Sequence, residues 1–161
     1  VASGNPINLI EPPRRQGAKG IIYLLENKPQ ERLLTEPGKD LDALAHTVVE
    51  AALEVHRVLG PGYLESVYEE ALNHELGLKG VPVERQKLMS LDYKGKKVGE
   101  HRLDMLVGGE LIVELKAVES LAPIHKAQLL SYLRTARKKL GLLINFNVPV
   151  IRHCIERVIL S

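Results

Sequence analysis

The chain has 161 residues, with 22 Lys and Arg against 20 Asp and Glu, which gives a formal net charge of +2. This balance is too even to identify a nucleic-acid binder by composition, so such a function has to depend on where the charges lie. No apolar run approaches the roughly 20 residues that span a bilayer, and residues 1–6 lack the pattern of a secretory signal. The single Cys154 excludes an internal disulfide and is typical of a reducing compartment. We therefore expect a cytoplasmic protein without a membrane segment.

Residues 1–39 differ in composition from the rest of the chain. Prolines at positions 6, 12, 13, 29 and 37 are mixed there with Gly and charged residues, which predicts an N-terminal extension rather than a folded core. Only Ile21 to Leu25 is a candidate for a short strand. Residues 40–161 have a length that suits one compact domain. A protein of this size is also compatible with self-association as a homo-oligomer.

The hydrophobic periodicity of residues 40–161 predicts alternating helical and strand segments. The predicted elements are helices over 40–59 and 64–78, strands over 81–93, 98–107 and 111–118, a helix over 123–138, and strands over 142–146 and 150–160. Gly60-Pro61-Gly62 separates the first two helices, and Gly141 is predicted to end the third. The order ααβββαββ predicts an α/β sandwich, with a mixed β-sheet flanked by helices and a crossover from the third helix to a parallel strand.

The apolar pattern of residues 98–118 selects between two hairpin registers. A two-residue turn at Gly108-Gly109 would leave Asp104 and Glu114 on different faces and mix charged with apolar side chains on both. A three-residue loop over 108–110 instead produces one wholly apolar face, with the pairs Val107–Leu111, Met105–Val113 and Leu103–Leu115. In that register Asp104 and Glu114 are cross-strand neighbours with Cβ atoms roughly 4.5–5.5 Å apart, and Arg102 faces Lys116. Burial therefore favours the second register.

Two carboxylates at this distance predict either a bound cation or a raised pKa in at least one of them. Hard carboxylate oxygens without Cys or clustered His suit Mg²⁺ or Mn²⁺. Lys116, on the same strand face as Glu114, could stabilise developing charge on a phosphodiester or orient the attacking water. The alternative is a cross-strand salt-bridge ladder, in which Arg102 and Lys116 neutralise Asp104 and Glu114 on a solvated face.

The arrangement of Asp104 followed by Glu114-Leu115-Lys116 resembles the D…(D/E)xK signature of the PD-(D/E)xK nuclease superfamily. Residues 62–68, GYLESVY, resemble the G-x-x-E-x-x-Y string that names the GxxExxY protein family. Residues 128–132, QLLSY, resemble the Q-x-x-x-Y helix of the RecB-like and phage-exonuclease-like branch. The similarity extends from about residue 41 to 160. Leu103 stands where the superfamily has its naming proline, while every charged position of the signature is kept.

The resemblance implies a restriction-endonuclease-like fold over residues 40–161 and hydrolysis of phosphodiester bonds of nucleic acid, DNA being favoured, with Mg²⁺ or Mn²⁺. It assigns metal ligation to Glu65, Asp104, Glu114 and the Leu115 carbonyl, catalysis by a lysine to Lys116, and contacts with the active site or phosphate to Gln128 and Tyr132. Further phosphate contacts are predicted for Lys94, Lys96, Lys97, Arg102, Arg134 and Arg137.

Each of these assignments has a plainer alternative. Glu65 is also explained by the preference of acids for a helix N-terminus, and the basic groups by a solvated turn and a helix C-terminus. Tyr132 could be a half-buried core aromatic and Gln128 a solvated helix position. The alternative for the whole domain is a non-catalytic nuclease-fold module that binds nucleic acid or a protein partner.

Overall fold

The computed structural model describes residues 37–161 of the chain. Its elements are α1 (Lys39–Leu59), α2 (Glu65–Leu78), β1 (Val83–Tyr93), β2 (Lys96–Val107), β3 (Leu111–Lys116), α3 (Pro123–Ala136), β4 (Leu140–Asn145), a 3₁₀ helix (Ile151–Cys154) and β5 (Ile155–Ile159). The predicted order ααβββαββ is confirmed, with a 3₁₀ turn in place of the first part of the last strand. The candidate strand at residues 21–25 lies outside the described residues. Residues 37–161 contain no helix long and apolar enough to cross a membrane.

The five strands form one sheet in the order β1-β2-β3-β4-β5. β3 and β4 are parallel, and the other neighbouring pairs are antiparallel. Helix α3 makes the crossover between the two parallel strands, as the chain order predicts. The sheet is therefore mixed, and the short central strand β3 is hydrogen-bonded on both sides.

The helices cover opposite faces of the sheet because their apolar stripes pack into two separate cores. The larger core joins α1 and α2 to one face of the three central strands, and its side chains include Val48, Leu72 and Val113. The smaller core packs Leu129 and Leu133 of α3 against the other face. This layering is that of an α/β sandwich.

Gly141 has a different role from the one predicted. The sequence predicts that Gly141 ends the third helix, but α3 ends at Ala136, followed by Arg137 in the left-handed conformation. Gly141 is a buried residue of β4, and a Cβ atom there would lie 2.8 Å from Cδ1 of Leu129. A glycine in this strand therefore permits close approach of the crossing helix.

Candidate active site

The hairpin of β2 and β3 has the register predicted for a three-residue loop. The paired residues are Val107 with Leu111, Leu106 with Ile112 and Met105 with Val113. Gly108 and Gly109 have φ angles of 58° and 70°, which glycine adopts without steric cost. The N–H of Glu110 donates to the carbonyl of Val107 at 3.1 Å and closes the turn.

The predicted apolar face is confirmed only in part, because the side-chain alternation of β2 changes at Asp104. Met105 packs in the larger core, as predicted. Leu103, two residues earlier, packs in the smaller core together with Leu106. Residues two apart on a regular strand share a face, so the strand is irregular at Asp104.

At this irregularity the carboxylates of Asp104 and Glu114 replace backbone pairing between β2 and β3. The backbone ladder ends at the pair Met105–Val113. Beyond it, the N–H of Leu115 donates to Oδ2 of Asp104 at 2.9 Å, and the N–H of Asp104 contacts Oε1 of Glu114 at 3.4 Å. The two acids are therefore inserted between the strands, side by side.

Both strand acids hold their protons more tightly than free acids do. Glu114 is only 5% exposed, and burial, followed by the nearby charge of Asp104, raises its pKa to about 8. Burial also raises the pKa of Asp104, and the Leu115 N–H and the charge of Lys116 oppose that rise. Burial is thus the main cause of both raised pKa values, and only for Glu114 does the neighbouring strand acid add to the rise.

Glu65 reaches the same place from helix α2, of which it is the first residue. Burial and then the charge of Asp104 raise its pKa, while Lys116 and the backbone N–H of Ala117 lower it. A helix N-terminus favours an acid in its own right. The action of Asp104, Lys116 and the Ala117 N–H on Glu65 nevertheless places the helix acid beside the strand acid and the lysine.

The predicted alternative of a salt-bridge ladder is not formed. Among residues 37–161, no salt bridge joins Arg102 or Lys116 to Asp104 or Glu114. Arg102 lies opposite Leu88 of β1. Lys116, at the end of β3, is close enough to lower the pKa of all three carboxyls without pairing with one of them.

The donor chemistry of the three acids fits a hard divalent cation, since Mg²⁺ takes one or two protein carboxylates together with waters. The side chains of the three acids are, however, not arranged around a common point. Within the described part of the chain, no three Asp, Glu, His or Cys side chains are placed to hold a metal ion. Asp104 and Glu114 each use one oxygen to accept from a backbone N–H group, so the second oxygen of each carboxylate is the one that would bind an ion.

Helix α3 brings Tyr132 to the site from the opposite face of the sheet. The ring is partly buried and lies 4.8 Å from the ring of His101. Burial, and then the charges of Glu114 and Asp104, raise the pKa of its hydroxyl. Gln128 is exposed one turn earlier on the same helix.

The six basic residues predicted to contact phosphate fall into two groups. Lys94, Lys96, Lys97 and Arg102 belong to the β1–β2 hairpin, which extends past the Lys116 end of β3, and Arg134 and Arg137 lie at the end of α3. Beside the second group, Lys138 contacts Glu110 at 3.0 Å, in the loop that leads into β3. From there to Lys116 the strand runs about 17 Å. On the other side, Arg102 lies near the level of Lys116, whereas Lys96 and Lys97 lie about 17–20 Å further along β2. The structure therefore brings only Arg102 close to the acids, with the hairpin lysines beyond it at that end of the sheet.

Two buried polar residues near the site were not predicted. Asn145, 1% exposed, binds both the N–H and the carbonyl of Val118 at 3.1 and 2.8 Å, which fixes the chain just after Lys116. Glu69 is buried one helical turn after Glu65. The available signals were a polar residue closing the apolar run 140–144 and a second acid at i+4 on the helix face.

Tyr68, the last residue of the G-x-x-E-x-x-Y string, stabilises the turn over residues 60–63 that leads into α2. Its hydroxyl donates to the carbonyl of Gly60 at 2.7 Å and accepts from the N–H of Tyr63 at 3.2 Å. Its buried ring stacks on Phe146 with centroids 4.6 Å apart. The tyrosine thereby holds the chain two residues before Glu65.

We expect Tyr68→Phe to lower the free energy of unfolding by about 0.5–1.5 kcal/mol, because the partly buried Gly60 carbonyl and Tyr63 N–H lose their hydrogen-bond partner. Urea denaturation measures the change. Tyr63→Phe is the matched control, since the Tyr63 backbone N–H makes the contact and the substitution keeps it. Equal stability of Tyr68→Phe and wild type would contradict the structural role.

The raised pKa of Glu114 predicts a metal-free protein that loses stability as pH rises. Between the usual value of 4.5 and the folded value of about 8, the folded state binds more protons than the unfolded state, so each pH increase favours unfolding. The contribution of Glu114 is complete below pH 4.5 and is lost as pH passes 8. Urea denaturation in EDTA from pH 5 to 8 measures this loss as a fall in the free energy of unfolding. In Glu114→Gln the fall should be smaller than in wild type, by an amount on the order of a few kcal/mol over the range. Parallel curves of unfolding free energy against pH for the two proteins would contradict a raised pKa of Glu114.

The mixed sheet with helices on both faces, and with three acids and a lysine at one end of its central strand, is consistent with a restriction-endonuclease-like fold. The family model described as the PD-(D/E)XK nuclease superfamily matches residues 42–158, a span that contains the whole candidate site. The chain therefore belongs to the PD-(D/E)XK nuclease superfamily, whose members are generally nucleases and typically use divalent metals. No curated protein and no solved structure matches the chain significantly. The narrower likeness to GxxExxY proteins stays a resemblance.

Proposed function

We propose that this chain is a metal-dependent nuclease that hydrolyses phosphodiester bonds of nucleic acid, with DNA as the favoured substrate and Mg²⁺ or Mn²⁺ as the cofactor. The observation that supports this most is the gathering of three acids of raised pKa beside a lysine that pairs with none of them. Burial of carboxylates next to one another costs stability. Such a cost is typical of functional sites, because a fold gains nothing structural from it.

In this proposal Asp104 and Glu114 bind the metal from the strands, Glu65 binds it from α2, and the Leu115 carbonyl is a further ligand. When bound, the ion supplies a water of lowered pKa and neutralises phosphate charge. Hydrolysis of a phosphodiester joins the oxygen of a water to phosphorus and breaks one P–O ester bond; a proton from the water goes to the leaving oxygen, which leaves a phosphate monoester and a hydroxyl.

The remaining side chains act on the phosphate and the water. The ammonium of Lys116 stabilises the negative charge that develops on the phosphoryl oxygens, and it orients the attacking water. The charges of Glu114 and Asp104 raise the pKa of the Tyr132 hydroxyl, so the hydroxyl lies close to both acids. It is therefore suited to donate a hydrogen bond to a phosphate bound beside them. Gln128, one turn away on α3, presents its amide on the same side of the helix.

Binding of the nucleic-acid backbone is assigned to the basic hairpin, and it should weaken steeply with salt. Replacing Lys94, Lys96 and Lys97 together by Ala should reduce the slope of log affinity against log salt by up to about 0.9 per lost contact with duplex DNA. The matched double variant Arg134→Ala/Arg137→Ala should change the slope less, since α3 ends at the far end of β3. Fluorescence anisotropy with labelled DNA measures both. A wild-type affinity that does not respond to salt would remove this part of the proposal.

A second candidate is a non-catalytic nuclease-fold module. The observation that favours it is that Asp104 and Glu114 are engaged with backbone N–H groups rather than directed at a common point. The two functions are separated by incubating the chain with labelled single-stranded, double-stranded and branched DNA and with RNA, in Mg²⁺, Mn²⁺ or EDTA. Cleavage that requires the metal supports the nuclease. Binding without cleavage of any substrate supports the module.

A further inference from the structure

Gln86 has a backbone conformation that β-strands do not normally contain. Its φ angle is 51° although it lies inside β1. Its neighbours Arg85 and Lys87 pair with Met105 and Leu103 of β2, so Gln86 is level with Asp104. A non-glycine residue in the left-handed region is sterically strained, and such strain concentrates at functional sites. Some interaction must hold this residue in place.

The interaction comes from a buried acid on helix α2. Nε2 of Gln86 donates to Oε2 of Glu69 at 2.7 Å, and Nε of Arg85 donates to Oε1 at 2.8 Å. Arg85 also donates to Glu70 at 2.7 Å. Glu69 is only 7% exposed, so both of its oxygens are satisfied by β1 within the protein. We name the hydrogen-bonded group of Glu69, Arg85 and Gln86 the helix–strand clamp.

The helix–strand clamp lies between two of the proposed metal ligands. Glu69 follows Glu65 by one turn of α2, so the two acids lie on the same helix face. Gln86 is level with Asp104 on the neighbouring strand. The charge of Glu69 acts on both Glu65 and Asp104. The clamp thus joins the element that carries the helix acid to the strands that carry the other two.

We propose that Glu69 and Gln86 are positioning residues of the metal site: their hydrogen bond fixes the separation of Glu65 from Asp104, and the charge of Glu69 strengthens cation binding. This inference rests on the proposed metal-dependent nuclease. An ion pair that served only to dock α2 on β1 would be complete with Arg85, which already reaches both Glu69 and Glu70. The strained Gln86 is needed only if the position of its own side chain matters.

Two substitutions separate positioning from folding. Gln86→Gly removes the hydrogen bond while glycine accepts the positive φ freely, so the fold should be kept. Glu69→Gln removes the charge; its single amide oxygen can accept from Arg85, and its NH₂ group can donate to the Gln86 oxygen when the Gln86 amide turns over. The matched control is Glu70→Gln, because the Glu70 side chain is 69% exposed and, within residues 37–161, forms its ion pair with Arg85 alone.

The affinity for Mn²⁺ and Mg²⁺ is measured by calorimetry, the kcat and KM of DNA cleavage are measured in parallel, and thermal melts in EDTA report on the fold. We expect Gln86→Gly and Glu69→Gln to weaken metal affinity or reduce kcat by about 10- to 100-fold, the usual effect of losing a group that orients metal ligands. The KM for DNA should stay close to wild type, and Glu70→Gln should match wild type throughout.

The outcomes distinguish this proposal from the proposed function. If the wild type binds metal and cuts DNA, and both variants bind and cut equally well, the positioning role is wrong and the nuclease stands. The same holds if the variants lower only the melting temperature, or if Glu70→Gln loses as much affinity as Glu69→Gln. If the wild type neither binds metal nor cuts, the proposed function fails and the positioning role fails with it.

Discussion

Lys116→Ala is expected to reduce the rate of DNA cleavage by about 10²- to 10³-fold, the range seen when a preorganised group that stabilises transition-state charge is removed. Lys116 lowers the pKa of Glu65, Asp104 and Glu114 yet forms no salt bridge with them, so its ammonium is available to a phosphate. Metal affinity should change little, because the lysine is not a ligand. Single-turnover cleavage and calorimetric metal titration measure the two quantities.

Two further variants make the effect of Lys116→Ala specific. Lys126→Ala removes an exposed lysine from α3 and should cut at the wild-type rate. Lys116→Arg keeps the charge, but it changes its shape and reach, and is expected to restore only part of the activity. A Lys116→Ala protein that cuts as fast as wild type would exclude the lysine from the reaction.

Asp104→Asn is expected to abolish stabilisation by Mg²⁺ without weakening the metal-free protein. The asparagine oxygen can still accept from the Leu115 N–H. In a buffer above pH 8, where Glu114 is ionised as well, the substitution also removes the like-charge repulsion of Asp104 with Glu114 and Glu65. The melting temperature in EDTA should therefore be unchanged or higher than in wild type. Added Mg²⁺ should raise the melting temperature of the wild type, since a ligand at 100 times Kd adds about 2.7 kcal/mol to the free energy of unfolding. It should not change the melting temperature of the variant.

The opposite result would favour a structural role for the acid. If the charge of Asp104 serves the stability of the hairpin, its neutralisation should lower the melting temperature in EDTA. Asp92→Asn is the control, because Asp92 is an exposed acid near the tip of the same hairpin and its loss should not alter the response to Mg²⁺. Identical Mg²⁺-induced shifts in wild type and Asp104→Asn would place the metal elsewhere.

The sequence predicts the fold and the hairpin register well because burial decides both. Only one register of the β2–β3 hairpin places Met105, Val107, Leu111 and Val113 on a common apolar face, and the structure has it. The shift at Asp104, which sends Leu103 to the other core, is not predictable from the pattern. It arises because carboxylate oxygens take the place of backbone partners there, and an alternation rule does not include that exchange.

The residues of the candidate site also fall into those that the sequence pattern predicts and those that it does not. Asp104 and Glu114 follow from the hairpin register, while Glu65 and Tyr132 depended on a motif resemblance. The helix–strand clamp was missed because Gln86 and Glu69 are 17 residues apart, and because a left-handed residue within a strand is dictated by tertiary contacts rather than by its own preference. The position of Gly141 in β4 likewise depends on how closely α3 crosses that strand.

The most direct test of the proposed metal site is single-turnover cleavage of labelled DNA in Mg²⁺ by the wild type and by Asp104→Asn, each repeated in EDTA. The wild type should cut only with the metal, and Asp104→Asn should not cut measurably in either condition. Cleavage by Asp104→Asn at the wild-type rate would contradict a site built on Asp104, Glu114 and Glu65. So would wild-type cleavage that continues unchanged in EDTA.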